Sequence, residues 1–150
     1  MSLFTHLSRF REHFSQVSED RTLESPSQHQ IVPSADVGGA FTWTRRFLID
    51  HRLTAGMDFR LIEGRSRDTF FSSSAVVTDR RVSSGKQQFF GFFVQDVYAP
   101  IEKLHIALGV RLDYFRNFAG GETDALPALA TRFPSRSHIP FSPRLSFRYQ

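Results

Sequence analysis

The sequence predicts an all-β fold: an antiparallel up-and-down meander of about six long strands, forming an open segment of a transmembrane β-barrel. Three observations predict it. Apolar and polar residues alternate over several stretches of about ten residues or more. Charges sit in the middle of the polar faces of those stretches. The connections between them differ in length, in the order short, long, short, long.

The clearest stretch is residues 104–114, "LHIALGVRLDY". Leu104, Ile106, Leu108, Val110, Leu112 and Tyr114 fall on one side, and His105, Ala107, Gly109, Arg111 and Asp113 on the other. Successive side chains of an extended chain point to opposite faces, so this strand has one apolar face and one polar face. Extended, it rises roughly 35 Å. With a tilt of about 40° it spans roughly 27 Å, against an apolar band about 25 Å tall in outer-membrane barrels. Strands of soluble proteins usually run about 5–6 residues. The length favours lipid over a private core as the partner of the apolar face. A soluble sandwich or lipocalin-like barrel also alternates and is the competing reading.

The other elements follow in chain order. In residues 2–17, Leu3, Phe4, Leu7, Phe10, Phe14 and Val17 recur at helical spacing, so the residues alone leave helix and strand open. Residues 35–47 place Val37, Gly39, Phe41, Trp43 and Phe47 against Asp36, Gly38, Ala40, Thr42, Thr44 and Arg46. Residues 52–63 place Leu53, Ala55, Met57, Phe59 and Leu61 against Thr54, Gly56, Asp58 and Arg60. "LIDH" between them reads as a tight connection. Residues 86–98 carry Phe on both faces, with Phe90, Phe92 and Val94 assigned to the apolar side. Pro100 marks a tight turn at 99–103, because proline cannot donate to a ladder. Residues 141–149 oppose Phe141, Leu145, Phe147 and Tyr149 to Ser142, Arg144, Ser146 and Arg148. Residues 65–85, rich in Ser and Arg, and 117–140, with tandem glycines and three prolines, read as long loops. Tyr98, Tyr114, Tyr149 and Trp43 lie toward the ends of the predicted strands, where an aromatic girdle would sit. On this reading Phe41, Trp43, Met57, Phe59, Leu104, Ile106, Leu108, Val110, Leu112 and Phe147 face lipid. Asp36, Asp58, Arg60, His105, Arg111, Asp113, Arg144 and Arg148 face a water-containing lumen or a polar plug, because mid-strand charges need water or partners.

Composition narrows the function. The chain has 150 residues, 17 of them Phe, a net charge of +4 and no cysteine. One domain's length is present, with neither disulfides nor thiolate chemistry. Seventeen of the 19 basic residues are Arg, spread from Arg9 to Arg148 among 15 acidic residues, so the sequence shows no clustered nucleic-acid surface. There is no GxSxG, HExxH, P-loop or Cys pair, and the six histidines lack a repeated metal spacing. No enzymatic activity, metal or cofactor is expected. The opening "MSLFTHLSRFREHF" lacks the apolar run and cleavage site of a signal peptide, which leaves a piece of an exported barrel or a cytosolic protein.

"GFFVQDVYAPIEKLHIALGVRLDYFRN" and the later "FSPRLSFRYQ" resemble the barrel of TonB-dependent outer-membrane receptors, as does "HRLTAGMDFRLIEG". The resemblance covers residues 35–150 and, more loosely, the first 34. It implies a 22-stranded barrel with an N-terminal plug and a TonB-box peptide. It also implies a location in the Gram-negative outer membrane, lipid around the barrel, and the TonB energy-transducing complex and a small-molecule ligand as partners. Under it, residues 2–17 become a strand. Six strands cannot close a membrane barrel, for which eight is the usual minimum. The expectation is therefore that residues 1–150 are a partial barrel without plug, TonB box, signal peptide or C-terminal closure. Its function would be a share in active uptake of a scarce solute of the siderophore, cobalamin or carbohydrate class. The alternatives are a soluble all-β binding or structural module and a porin-like passive channel.

Overall fold

The computed structural model describes residues 1–125 and 128–150. The strands are β1 (Ser2–Val17), β2 (Glu24–Phe47), β3 (His51–Phe71), β4 (Val77–Ile101), β5 (Leu104–Ala125), β6 (Ala128–Phe133), β7 (Arg136–His138) and β8 (Phe141–Tyr149). They form one antiparallel sheet in which β1 to β5 are neighbours in chain order. The last three strands share one position. β6 pairs with residues 120–125 of β5, β7 with 115–117 and β8 with 104–112. They are one returning strand, interrupted near Pro134 and Pro140, where no N–H is available for a ladder bond. The sheet thus has six strand positions, with β1 and the returning strand as its open edges, as the alternation predicts.

Residues 2–17 are a strand, not a helix. Pairing with β2 runs from Ser2–Ala40 to Val17–Glu24 and satisfies one edge of the β1 backbone. The residues that suggested a helix split between the faces: Leu3 and Leu7 lie on one, and Phe4, Phe10 and Phe14 on the other. As a strand the segment extends the ladder along the edge of β2 from Glu24 to Ala40, and that pairing outweighs the local helical spacing.

The two stretches expected as long loops are corrected by the structure. Residues 65–71 and 77–85 continue β3 and β4, and the connection shrinks to 72–76. Residues 117–125 continue β5, and 128–133, 136–138 and 141–149 return along it. Serine and arginine are tolerated on strand faces, and a hairpin ladder once started gains hydrogen bonds with each added pair. The tandem Gly120–Gly121 does not turn the chain; both residues are in β5. Beside them, Ala119 has a φ of 52°. Two residues of β5, Ala119 and Gly120, lie opposite Gly85 alone, which makes a β-bulge. The short connections are tighter than their sequences suggest. Leu48–Ile49–Asp50 joins β2 to β3, with Leu48 at φ 61°, and Glu102–Lys103 joins β4 to β5. The ladder is irregular between Tyr98 and Ile101, around Pro100, and Ala99 donates instead to the Asp50 carbonyl at 2.8 Å.

Among the described residues no hydrophobic side chain is buried. The buried polar residues are Asp36 and Asp68. A sheet of this length with 17 Phe and no core holds its shape through its ladder and not through packing. In water without detergent the chain is expected to run as an aggregate. Its apolar face is far larger than the few hundred Å² a soluble monomer exposes, and its edges are open. Size exclusion with far-UV circular dichroism checks this. A sharp monomer with a cooperative melt would show that the side chains pack a core of their own.

The 18–23 turn yields a second expectation. The Asp20 carboxylate accepts from the Ser18 hydroxyl at 2.5 Å, the Thr22 hydroxyl at 2.7 Å and the Thr22 N–H at 3.2 Å. The Ser18 hydroxyl first, then Thr22, lower its pKa from 3.8 to about 2. A depressed carboxylate stabilises the fold above its unfolded pKa, and that contribution disappears as pH falls from 3.8 through about 2. An NMR titration of the Asp20 carboxyl in detergent should show its midpoint near 2. A midpoint at the ordinary value would mean these bonds are not held in solution.

Candidate functional site

The register decides which side chains share a face, because directly paired residues of adjacent strands point the same way. One file runs Phe41–Met57–Phe92–Leu112–Phe141, and the next Trp43–Ala55–Val94–Val110–Pro143. Beside them lie Leu3–Gly39–Phe59–Phe90–Tyr114 and Arg45–Leu53–Asp96–Leu108–Leu145. Ile106 pairs with Tyr98 and Phe147, and Leu104 with Tyr149. All ten residues expected on the apolar side therefore share one face. Tyr98 and Tyr149 lie at its tight-turn end. Trp43 lies four residues from the end of β2 at Phe47, whereas Tyr114 lies inside β5, which runs on to Ala125. A break in the pattern is Asp96, whose Oδ2 meets His51 Nδ1 at 2.6 Å while His51 stacks on Tyr98 at 4.5 Å.

The eight expected polar-face residues share the opposite face. Asp36 opposes Ile62 across β2–β3, and Arg60 opposes Gly38. Arg111 opposes Phe93 and Ser142, Arg144 opposes Gly109, and Arg148 opposes His105. Seven of the eight are carboxylates or guanidiniums, and five of these pair. Arg60 meets Asp36 with two bonds, Nη2 at 2.5 Å and Nε at 3.1 Å. Arg111 bridges two carboxylates: its Nη2 lies 2.8 Å from Asp58 and 2.7 Å from Asp113. The structure does not bring His105, Arg144 or Arg148 into either group; these three stand toward the tight-turn end.

Glycines make room for this face. Gly91 separates Asp58 from Asp113 in one cross-strand file. A Cβ there would stand 2.1 Å from Arg111 Nη2, so the guanidinium lies over bare backbone to reach both acids. Gly56 seats the Phe93 ring, and Gly38 seats the Phe4 ring, each with less than van der Waals room for a Cβ. Phe89 and Phe115 meet on the same face at 4.8 Å between ring centres. The polar face is therefore aromatic as well as charged. Reading single strands misses this, because the seat and the ring sit on different strands.

Beyond the apolar files the polar face carries a second group that single-strand reading also misses. Buried Asp68 accepts from Gln28 Nε2 at 2.9 Å, Gln30 Nε2 at 2.8 Å and Ser66 Oγ at 2.8 Å. Arg81 meets Asp124 at 2.7 Å and Glu122 at 3.7 Å and lies over the Phe70 ring at 5.6 Å. Asp124 above all, by its hydrogen bond, raises the Arg81 pKa from its ordinary value. These amides, hydroxyls and carboxylates can bind a polar solute by hydrogen bonds. Among the described residues no group of three or more His, Cys, Asp or Glu could hold a metal ion.

Residues 4–150 match the family described as TonB dependent receptor-like, beta-barrel. No curated protein and no solved structure gives a match. No helix among the described residues is long and apolar enough to cross a membrane, which says nothing about strands.

The Arg111 bridge generates a prediction. Arg111→Met leaves Asp58 and Asp113 facing each other across Gly91 without a cation. Both acids are partly exposed, so the expected loss is about 1 kcal/mol, typical of such pairs. Urea unfolding in detergent measures it, and Asp58→Asn in the same background should recover part of it. Equal stability of Arg111→Met and wild type would mean that water already screens the pair completely.

Proposed function

The chain belongs to the TonB-dependent receptor β-barrel family, whose members are outer-membrane receptors and transporters of Gram-negative bacteria and not enzymes. From that premise we propose that this sheet is part of the wall of such a receptor. Its apolar face meets lipid, its polar face lines the lumen, and the whole takes up a scarce solute with energy from the TonB complex. The observation that carries this is the division of faces. Every residue of the apolar file Phe41–Met57–Phe92–Leu112–Phe141 has a polar or glycine neighbour on the reverse side, while the sheet buries no core. A soluble module of this size would need its large side chains inside. In a bilayer they meet hydrocarbon and the ladder satisfies the backbone.

On this reading Asp36, Asp58, Arg60, His105, Arg111, Asp113, Arg144 and Arg148 are lumen residues. The paired charges of the central strands form a fixed, neutralised wall. The amides and carboxylates around Asp68 and Asp124, beyond the membrane band, are the contacts a solute would meet first. The siderophore, cobalamin and carbohydrate classes all present hydroxyls and carbonyls that such groups bind. The sheet would be a partial barrel, and its two open edges would be paired with further strands of the same wall.

Uptake of labelled ferric siderophores, cobalamin and oligosaccharides should be compared in cells carrying the receptor, with and without TonB. Loss of accumulation of one class without TonB supports active transport. Equal accumulation would favour a passive channel. Two substitutions test the faces directly. Leu108→Arg should cost roughly 2–4 kcal/mol at the bilayer midplane. Gly109→Arg, whose Cβ would meet nothing closer than 3.5 Å, should cost much less. Unfolding in detergent or lipid gives both values, and equal damage from the two would reverse the assignment.

A further inference from the structure

The register sets two histidines face to face. His13 of β1 pairs directly with His29 of β2, on the side of the sheet that carries the apolar files. Directly opposed side chains have Cβ atoms about 4.5–5.5 Å apart, so the rings meet. They stack at 4.2 Å between centres with an interplanar angle of 11°. The two residues belong to different strands, so no spacing within either strand reveals them. The other histidines have no such partner. His6 faces Asp36, His51 faces Phe47 and Tyr98, His105 faces Arg148, and His138 faces Phe115.

Their ring nitrogens are free. Among the described residues neither ring makes a hydrogen bond or an ion pair; their contact is the stack. At His51, by contrast, Nδ1 is taken by Asp96 at 2.6 Å. His13 is exposed and His29 half-buried, so the pair is open to solvent from one side. Arg80 stands in the same file, Arg11 and Arg67 in the neighbouring one, and Glu24 beyond, where it accepts from the Ser15 hydroxyl. The three arginines have Cα positions about 7–10 Å from the pair. That is close to the Debye length of about 8 Å at physiological ionic strength, so salt and water weaken their repulsion of a cation.

The pair sits where the β1–β2 ladder is interrupted. The next pair, Phe14–Gln28, is the last before the register shifts. Ser15 then faces Pro26, which has no N–H to donate. β1 is an open edge of the sheet, so its backbone there is held from one side only. A bond between His13 and His29 would fix the strand at the point where its own hydrogen bonds are poorest.

We propose that His13 and His29 form a two-ligand site for a divalent transition-metal ion, which staples β1 to β2 beside the register shift. Imidazole nitrogen suits Zn(II), Cu(II) and Ni(II), whereas Ca(II) and Mg(II) take oxygen ligands. Two Zn–N bonds of about 2.0–2.1 Å at a tetrahedral angle put the nitrogens roughly 3.4 Å apart. The ring centres already lie 4.2 Å apart. The χ2 torsion of histidine is soft, so each ring can turn one nitrogen toward a shared ion. Water completes the coordination, because no third protein ligand joins the pair among the described residues. The pair lies well beyond the Val37–Leu61 file, so the site holds whichever medium meets the apolar face.

The test uses the receptor in neutral detergent, purified without a polyhistidine tag and stripped of metal with a chelator. Zn(II), Cu(II) and Ni(II) chlorides are the probes, with Ca(II) and Mg(II) as controls, in isothermal titration. Cu(II) should bind most tightly, as it does to nitrogen ligands generally. His13→Phe keeps a ring against His29 but removes one ligand, and it should lower Zn(II) affinity about tenfold or more. His29→Phe should do the same, and His138→Phe should leave the affinity unchanged. Equal Zn(II) affinity and stoichiometry in His13→Phe and wild type would overturn the site and leave the rings merely stacked. Tighter binding of Ca(II) than of Zn(II) would place the ion on oxygen ligands elsewhere and overturn it too. Amide hydrogen exchange of the wild type needs no variant to fold. With Zn(II) at a hundred times its Kd, local opening of residues 11–17 and 24–31 should fall about a hundredfold. Unchanged exchange in those segments on saturation with Zn(II) would overturn the staple.

Discussion

The antiparallel ladder is the constraint on which the rest of this structure depends. Most soluble folds place the hydrophobic core first and let hydrogen bonds follow. Here no large side chain is buried among the described residues, and the long strands β2 to β5, of 21 to 25 residues, are held by continuous pairing. A net gain of about 0.5–1.5 kcal/mol per bond in water is modest. In hydrocarbon the alternative to a paired backbone group is an unsatisfied one, at several kcal/mol each, and the ladder becomes the chief source of stability. On the proposed reading, the same sheet that is marginal in water is stable in a membrane. The medium, and not a core, makes up the difference.

The ladder also fixes which groups meet. Asp58, Gly91 and Asp113 stand in one file because β3, β4 and β5 are in a single register, and only that register puts Arg111 within 2.8 Å of Asp58. A one-residue slip would exchange the two faces of a strand. Phe93 would lose the backbone seat at Gly56, and charges would turn toward the apolar side. The glycines and the charge pairs thus specify register where alternation alone would permit several. The bulge at Ala119–Gly120 shifts the pairing of β4 with β5 beyond the apolar files, as the irregularities at Phe14–Ser15 and Phe70–Phe71 do in their own ladders.

Much of this was legible in the sequence, for reasons that lie in the period of two. A strand with one apolar face announces itself locally, and residues 35–47, 52–63, 104–114 and 141–149 needed no partner to be recognised. Both face assignments follow from the same period. The strand extensions were not legible. Residues 65–71 and 77–85 carry Ser, Arg, Thr and Gly, a composition shared by loops and solvated strands, and only cross-strand pairing separates the two. The Gly91 seat and the Asp68 group were hidden for a related reason. Each is made of residues from different strands, and register is a property of pairs. Residues 2–17 show the opposite failure. Their apolar spacing suits a helix, but the edge of β2 offers a continuous ladder, so the tertiary partner decides.

The edges of the sheet complete the physical picture. Along β1 and along the returning strand one row of N–H and C=O groups faces outward without a ladder partner. Water would satisfy these groups, whereas hydrocarbon would not. A sheet whose apolar face is lipid-exposed cannot therefore stand in the bilayer with these edges bare. The interruption of the returning strand at Pro140 makes the point locally, since it removes a donor that lipid could not replace. Pro140 still contributes its carbonyl, which accepts from the Asp113 N–H at 3.1 Å and carries the edge across the break. On the proposed reading, strand addition on both sides is thus a requirement of the medium. It is also what gives the polar face an interior, because charges such as Arg60–Asp36 and Arg111–Asp58 become a lumen wall only when the sheet curves round to enclose water. The division of the faces and the closure of the edges are one condition seen from two directions.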